Sequence, residues 1–217
     1  MKISKKTLEV LKNFASINSN LLIRPGNVLT TIPADVGIFA RAEVPETFDR
    51  EVGIYDLNSL LALLSMMDDT DVEFGDDSLS VRKGPSEFKY YYADKNILVA
   101  APDKIIEVDS EFAFKLTSKT IDTIKQAASI VSASMLSVIA KNGKVILAVG
   151  DPASPRSNSY TIDIDGSYEG EFDCRIPMEN FKVISTDYDV VLSKKKFMHL
   201  NGSGLQYWIA LDVNSKI

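Results

Sequence analysis

The stretch Lys6-Thr7-Leu8-Glu9-Val10-Leu11-Lys12-Asn13-Phe14-Ala15-Ser16-Ile17-Asn18-Ser19 returns without a gap as Lys119-Thr120-Ile121-Asp122-Thr123-Ile124-Lys125-Gln126-Ala127-Ala128-Ser129-Ile130-Val131-Ser132. Lysines, aliphatic positions and the Ala-Ser-Ile triplet keep their places. Both copies space apolar residues three and four apart and read as amphipathic helices. The first starts at a Ser4 cap and runs to about Ile17, with Leu8, Leu11, Phe14 and Ala15 on one side and Lys5, Glu9, Lys12 and Ser16 on the other.

The correspondence continues outward. Arg24-Pro25-Gly26-Asn27-Val28 matches Lys141-Asn142-Gly143-Lys144-Val145 as a hairpin turn, and Ile54-Tyr55-Asp56-Leu57-Asn58-Ser59-Leu60 faces Ile176-Pro177-Met178-Glu179-Asn180-Phe181 at the head of a second helix. A period of half the chain marks a duplicated domain, since solenoid repeats run about 20–50 residues. The expected organisation is a first domain over residues 1–93, a linker over 94–110 and a second domain over 111–217.

In the first domain the pattern predicts strands at Leu21–Ile23, Val28–Ile32, Val36–Val44 and Arg50–Tyr55, then a helix capped by Asp56 and reaching Met67. Strands at Asp71–Phe74, Ser78–Lys83 and Glu87–Tyr92 follow. The second domain is expected to open on a strand Glu111–Leu116, a helix Ser118–Ser132 and strands Met135–Lys141 and Lys144–Gly150. A polar loop, 151–158, leads to strands Ser159–Tyr168 and Glu171–Ile176, a short helix Met178–Ser185, and strands Tyr188–Ser193, Phe197–Asn201 and Gln206–Asp212. Two helices on a meandering antiparallel sheet in each half give an α+β fold. The linker carries Ile97, Leu98, Val99, Ile105 and Ile106, too apolar for a free tether, and is expected to lie on the domain surface.

Composition excludes several classes. Apolar residues make up 45% and charged residues 25% of the chain, as in a globular domain, and no long uncharged apolar run is present to span a membrane. Glu9 interrupts the N-terminal helix, so no secretory leader is expected. One Cys and one His cannot build the usual Cys/His zinc site, and neither a phosphate-binding Gly loop nor a nucleophile motif occurs, so no metal, cofactor or enzymatic activity is expected. Cys174 and His199 both fall in strand patterns and read as structural residues.

The net charge is −6, but it is unevenly distributed. Residues 1–110 hold 12 basic and 18 acidic side chains, against 12 and 12 in residues 111–217. Six of the acids form the run Asp68-Asp69-Thr70-Asp71-Val72-Glu73-Phe74-Gly75-Asp76-Asp77, which reads either as a solvated loop region or as a surface that repels DNA. The first helix has the opposite sign, and segregation by element is the footprint to read for nucleic acid. Lys194-Lys195-Lys196 reads as a hairpin turn or as a contact for an acidic partner.

Leu11–Ser19, Ile54–Leu60, Leu98-Val99-Ala100-Ala101-Pro102 and Ile176-Pro177-Met178-Glu179-Asn180-Phe181-Lys182 resemble, in order, the helix segments and linker of the sliding clamps of T-even-type bacteriophages. The resemblance runs from Met1 to about Asp212; the acidic run and the 151–158 loop depart from it. It implies the DNA clamp fold, with a homotrimer of two-domain chains closing into a ring around double-stranded DNA. The implied role is to tether a replicative DNA polymerase, with an ATP-dependent clamp loader and a late transcription factor as further partners, in the cytoplasm of an infected bacterium.

On that reading Lys5, Lys6, Lys12, Lys119 and Lys125 face the DNA, without base readout. DNA presents a phosphate charge about every 1.7 Å of axis, so a lysine face supplies sequence-independent attraction. The alternative is a solvated helix face. The resemblance also implies a pocket for partner peptides beneath the linker, at Val36, Phe39, Leu98, Val99, Trp208 and Ile209, of which Trp208 and Ile209 read equally as core. The rival function is a viral structural or scaffold protein built from a duplicated sheet domain.

Overall fold

A computed structural model describes residues 1–67, 71–103, 106–154, 156–164 and 167–217. Asp68, Asp69 and Thr70 of the acidic run, Ile105 of the linker, Pro155 of the polar loop and residues 165–166 of the expected strand Ser159–Tyr168 lie outside the described residues. The chain divides into two compact units, Met1–Asp103 and Lys104–Ile217.

In the first unit, α1 (Lys5–Ile17) begins where the Ser4 side chain accepts from the Thr7 amide, and it buries Thr7, Val10, Leu11, Phe14 and Ile17. The strands β1 (Leu21–Ile23), β2 (Gly26–Thr31), β3 (Ile38–Phe48) and β4 (Val52–Ile54) follow. β1 pairs with β4 and β2 with β3, both antiparallel. Gly26 has φ +119° at the register shift that opens β2, a conformation open to glycine. The helix α2 (Leu57–Met66) starts on Asp56, which accepts from the Ser59 amide. The unit ends in a sheet of order β5 (Val72–Phe74), β6 (Ser78–Lys83), β7 (Ser86–Tyr91).

Two expected strand bounds shift for local reasons. Val36 has φ 58° and belongs to a turn, so β3 starts at Ile38; it then runs through Pro45, which occupies an exposed position, as far as Phe48. The strand expected over Arg50–Tyr55 is confined to Val52–Ile54.

The second unit opens with β8 (Phe112–Leu116) and α3 (Ser118–Val131), whose Thr117 cap accepts from the Thr120 amide as Ser4 does from Thr7. Its first sheet has the order β11 (Tyr160–Ile164), β10 (Lys144–Gly150), β9 (Met135–Lys141), β12 (Phe172–Pro177). Asn142 and Gly143 both have positive φ in the β9–β10 hairpin, the geometry that suits strand twist in a tight turn. The second sheet joins β8 to β13 (Tyr188–Ser193), β14 (Phe197–Gly202) and β15 (Leu205–Ala210) in successive antiparallel pairs. Phe112, Phe172 and Tyr168 meet with ring centroids 4.9–5.9 Å apart, and a buried aromatic of this kind contributes roughly 1.5–3 kcal/mol.

The helix expected over Met178–Ser185 is a single 3-10 turn, Met178–Asn180, with no side-chain cap. Beyond it Phe181 and Val183 are buried while Lys182 and Ile184 are less so, a two-residue alternation that suits extended backbone. Cys174 is fully buried, its thiol pushed up to about 12 by that burial. Burial likewise lowers His199, which stacks on Trp208 at 4.5 Å. Among the described residues no helix is long and apolar enough to cross a membrane.

Candidate nucleic-acid face and partner surface

The amphipathic division of α1 leaves Lys5, Lys6 and Lys12 exposed with Glu9 among them, while the opposite face is buried. What fixes this helix is Glu46, 8% exposed on β3. Its carboxylate accepts from the Ser4 amide and from the Thr7 hydroxyl, two groups in the opening turn. Burial pushes the Glu46 carboxyl up, but the hydrogen bonds from Thr7 and Ser4 outweigh it and hold the group below its ordinary range. A carboxylate there also meets the positive end of the helix dipole. The signal for Glu46 in the sequence is its place at a buried phase of the β3 alternation.

The second copy of the helix differs in detail. Lys119 is exposed in the first turn of α3, near Asp122. Lys125 is half-buried, and its ammonium donates to the Val183 carbonyl at 2.6 Å and to the Ser185 hydroxyl at 3.3 Å. Burial lowers its pKa, and Asp122 acts in the opposite direction. Asp187, from the same stretch of chain, accepts from the Ser118 amide at the head of α3.

In the first unit the chain beyond β7 is strapped down. The Val99 amide donates to Asn20 Oδ1 (3.1 Å), Asn18 Nδ2 donates to the Val99 carbonyl (2.8 Å), and Arg24 donates to the Ala101 carbonyl (2.8 Å). Close approach is possible because residue 53 is glycine: a Cβ there would lie 2.3 Å from the Ala93 carbonyl oxygen and 3.2 Å from Leu98 Cδ1. The strap presents Ile97 and Val99, 61% and 39% exposed, with Leu98 half-buried. Of the other expected pocket residues in this unit, Val36 is 61% exposed and Phe39 is buried. In the second unit Trp208 and Ile209 are buried.

The lysine turn is engaged within its own unit. Lys194 pairs with Glu111 at 2.9 Å, Glu111 accepts from Tyr168 at 2.6 Å, and Lys195 donates to the Glu107 carbonyl. In the acidic run, Asp76 pairs with Arg50 at 2.8 Å, and Val72–Phe74 is strand.

β7 and β11 each lie at one edge of their sheets. Beside β11, Thr123, Ala127, Ile130 and Tyr160 line a hollow of about 240 Å³ in which Ile130 is 75% exposed. On the first unit Met66 and Tyr91 are 68% and 64% exposed. A solitary exposed apolar residue is ordinary, but several beside an unpaired edge call for a partner.

Residues 2–101 match the family model described as DNA polymerase processivity factor. The chain is 30% identical over 229 residues to the sliding clamp of Escherichia phage RB69, covering 99% of this chain and 98% of that protein. It is 26% identical over 219 residues to the sliding clamp of Vibrio phage KVP40, covering 98% and 99%. Among solved structures it is similar to PCNA of A. fulgidus bound to the C-terminal region of FEN-1, with a TM-score of 0.70 at 12% identity, covering 96% of each chain.

Proposed function

Since this chain belongs to the sliding-clamp family of DNA polymerase processivity factors, we propose that three copies close head to tail into a ring that encircles duplex DNA and tethers a replicative polymerase. The family is non-catalytic: its product is a topological link. Two similar domains per chain make three chains the complement of a six-domain circle. Heterologous association that closes yields such a ring, and we assign the contact to β7 of one copy and β11 of the next, each at the edge of a sheet.

The observation that carries the DNA reading is the row Lys5, Lys6 and Lys12, exposed along one side of α1, with Lys119 at the place equivalent to Lys6 in the repeated helix. Point charges on a helix face attract phosphate without reading bases, and a protein held by topology needs no tighter contact to stay on its track. Partner peptides are assigned to Leu98 and Val99 of the apolar strap and to the exposed Val36. Phe39, Trp208 and Ile209 are buried within their own units. The polymerase uses this surface, as do an ATP-dependent loader and a late transcription factor, in the cytoplasm of the infected cell.

The test is loader-dependent primer extension on a long single-stranded template. Changing Lys5, Lys6 and Lys12 together to Glu is expected to shorten products about tenfold or more at moderate salt, as several phosphate attractions become repulsions. The variant should still form trimers. Full-length products from it would remove α1 from the DNA face.

A further inference from the structure

The two copies of the repeated helix carry lysines at equivalent positions and use them differently. Lys12 on α1 is exposed. Its equivalent on α3, Lys125, is half-buried and turned along the protein, with both hydrogen bonds going to one short segment, Val183 and Ser185. That segment stands where the sequence pattern suggested a helix and the chain instead leaves its 3-10 turn without regular structure.

Outside a helix the segment lacks the ladder by which a helix satisfies its own carbonyls; one internal bond, from the Thr186 amide to the Ile184 carbonyl at 3.0 Å, remains, and the other polar groups need partners from elsewhere. Here side chains supply them. Lys125 caps the Val183 carbonyl, the Tyr188 hydroxyl donates to the Ile184 carbonyl at 2.8 Å, and the Ile184 amide donates to the Tyr207 hydroxyl at 3.2 Å. Val183 itself is 2% exposed, so the carbonyl that Lys125 serves belongs to a residue packed into the unit.

We infer that Lys125 is a strut and not a phosphate contact: it positions the 183–185 segment against α3, and the DNA-facing charge of the chain is concentrated on the α1 copy of the repeat. The inference rests on the DNA-encircling reading above. To reach a phosphate, Lys125 would surrender two hydrogen bonds and leave a half-buried site, whereas Lys5, Lys6 and Lys12 surrender no such bonds among the described residues. In a closed ring of identical chains, DNA would then meet strong and weak sectors in alternation.

The experiment compares Lys12→Gln, Lys125→Gln and Lys125→Arg in the full chain. Affinity for a short duplex is followed by fluorescence anisotropy across a salt series, and amide exchange is followed at residues 183–186. Lys12→Gln is expected to reduce the slope of log K against log salt by about 0.9 for the phosphate contact it loses. Lys125→Gln should leave that slope unchanged while exchange at 183–186 accelerates about tenfold, the worth of one hydrogen bond; Lys125→Arg should restore protection. A slope loss in Lys125→Gln equal to that in Lys12→Gln, with exchange unaltered, overturns the inference and leaves the ring reading standing. No slope change in either variant overturns the DNA-facing reading, and the inference with it. Should Lys125→Gln fail to fold, lysine-labelling rates on the unaltered protein decide: Lys125 should react more slowly than Lys12 without DNA, and added duplex should protect Lys12 while leaving Lys125 unchanged. Protection of Lys125 by duplex would overturn the strut.

Discussion

Glu46 occupies a position on β3 whose alternation calls for an inward side chain, and it answers with a charge. That charge is tolerable because the Ser4 amide and the Thr7 hydroxyl at the head of α1 donate to it, so the residue joins strand to helix through hydrogen bonds worth more than neutral ones. Glu46→Gln retains the shape and discards the charge, and it is expected to lower stability by about 1–3 kcal/mol in denaturant titration. The pH dependence has a fixed sign. A carboxyl whose folded pKa lies below its unfolded value stabilises fully above the ordinary 4.5 and loses that contribution as pH falls toward the depressed value. The acid limb of the stability curve below about pH 4.5 should therefore be flatter in Glu46→Gln than in the unaltered chain; parallel limbs would remove Glu46 as the group responsible. Residues of this kind, like Lys125, are hard to read from a linear chain because their partners are dozens of positions away. Lys12 and Lys125 look equivalent in the repeat, and tertiary contact makes them different.

At the scale of elements, the caps were the most legible signal. Ser4 and Asp56 open α1 and α2 as their side chains suggest. The short helix after Pro177 was misread because Met178-Glu179-Asn180 has helical character but Val183, Ile184 and Thr186 are β-branched, and burial after the first turn follows a period of two. The strap over 94–101 was legible in composition, since its apolar residues forbid a free tether, while the asparagines that fasten it, Asn18 and Asn20, lie 81 and 79 positions before the Val99 they bond. Its backbone is held by those side chains independently of Leu98 and Val99. Leu98→Ser with Val99→Ser should therefore leave the melting temperature within a few degrees and weaken a polymerase C-terminal peptide about tenfold or more, consistent with roughly 1.5–3 kcal/mol for an aliphatic anchor. Calorimetric titration with the peptide checks it, and unchanged affinity would move the docking surface elsewhere.

For the whole molecule, the duplication was legible from one helix pattern, and the means of closure was not. Ile130 belongs to the repeated stretch and matches Ile17, yet Ile17 is 6% exposed and Ile130 is 75% exposed. In the ring proposed above, this reversal at equivalent places is assigned to a surface that a neighbouring copy would cover. Ile130→Asp is expected to weaken subunit association by about ten- to a hundredfold, counting the lost apolar burial and the charge that replaces it. Light scattering at micromolar concentration should show monomers with an unaltered circular dichroism spectrum; a persistent trimer would place the contact elsewhere.

The open edges have one more consequence. β7 belongs to the first unit and β11 to the second, and they differ in sequence as well as in company. A circle closed by joining unlike edges obliges every copy to point the same way, so its two flat sides cannot be interchanged. The proposed ring would thus have an obverse and a reverse, and the side onto which the strap opened would tell an arriving machine which way along the duplex it was about to travel.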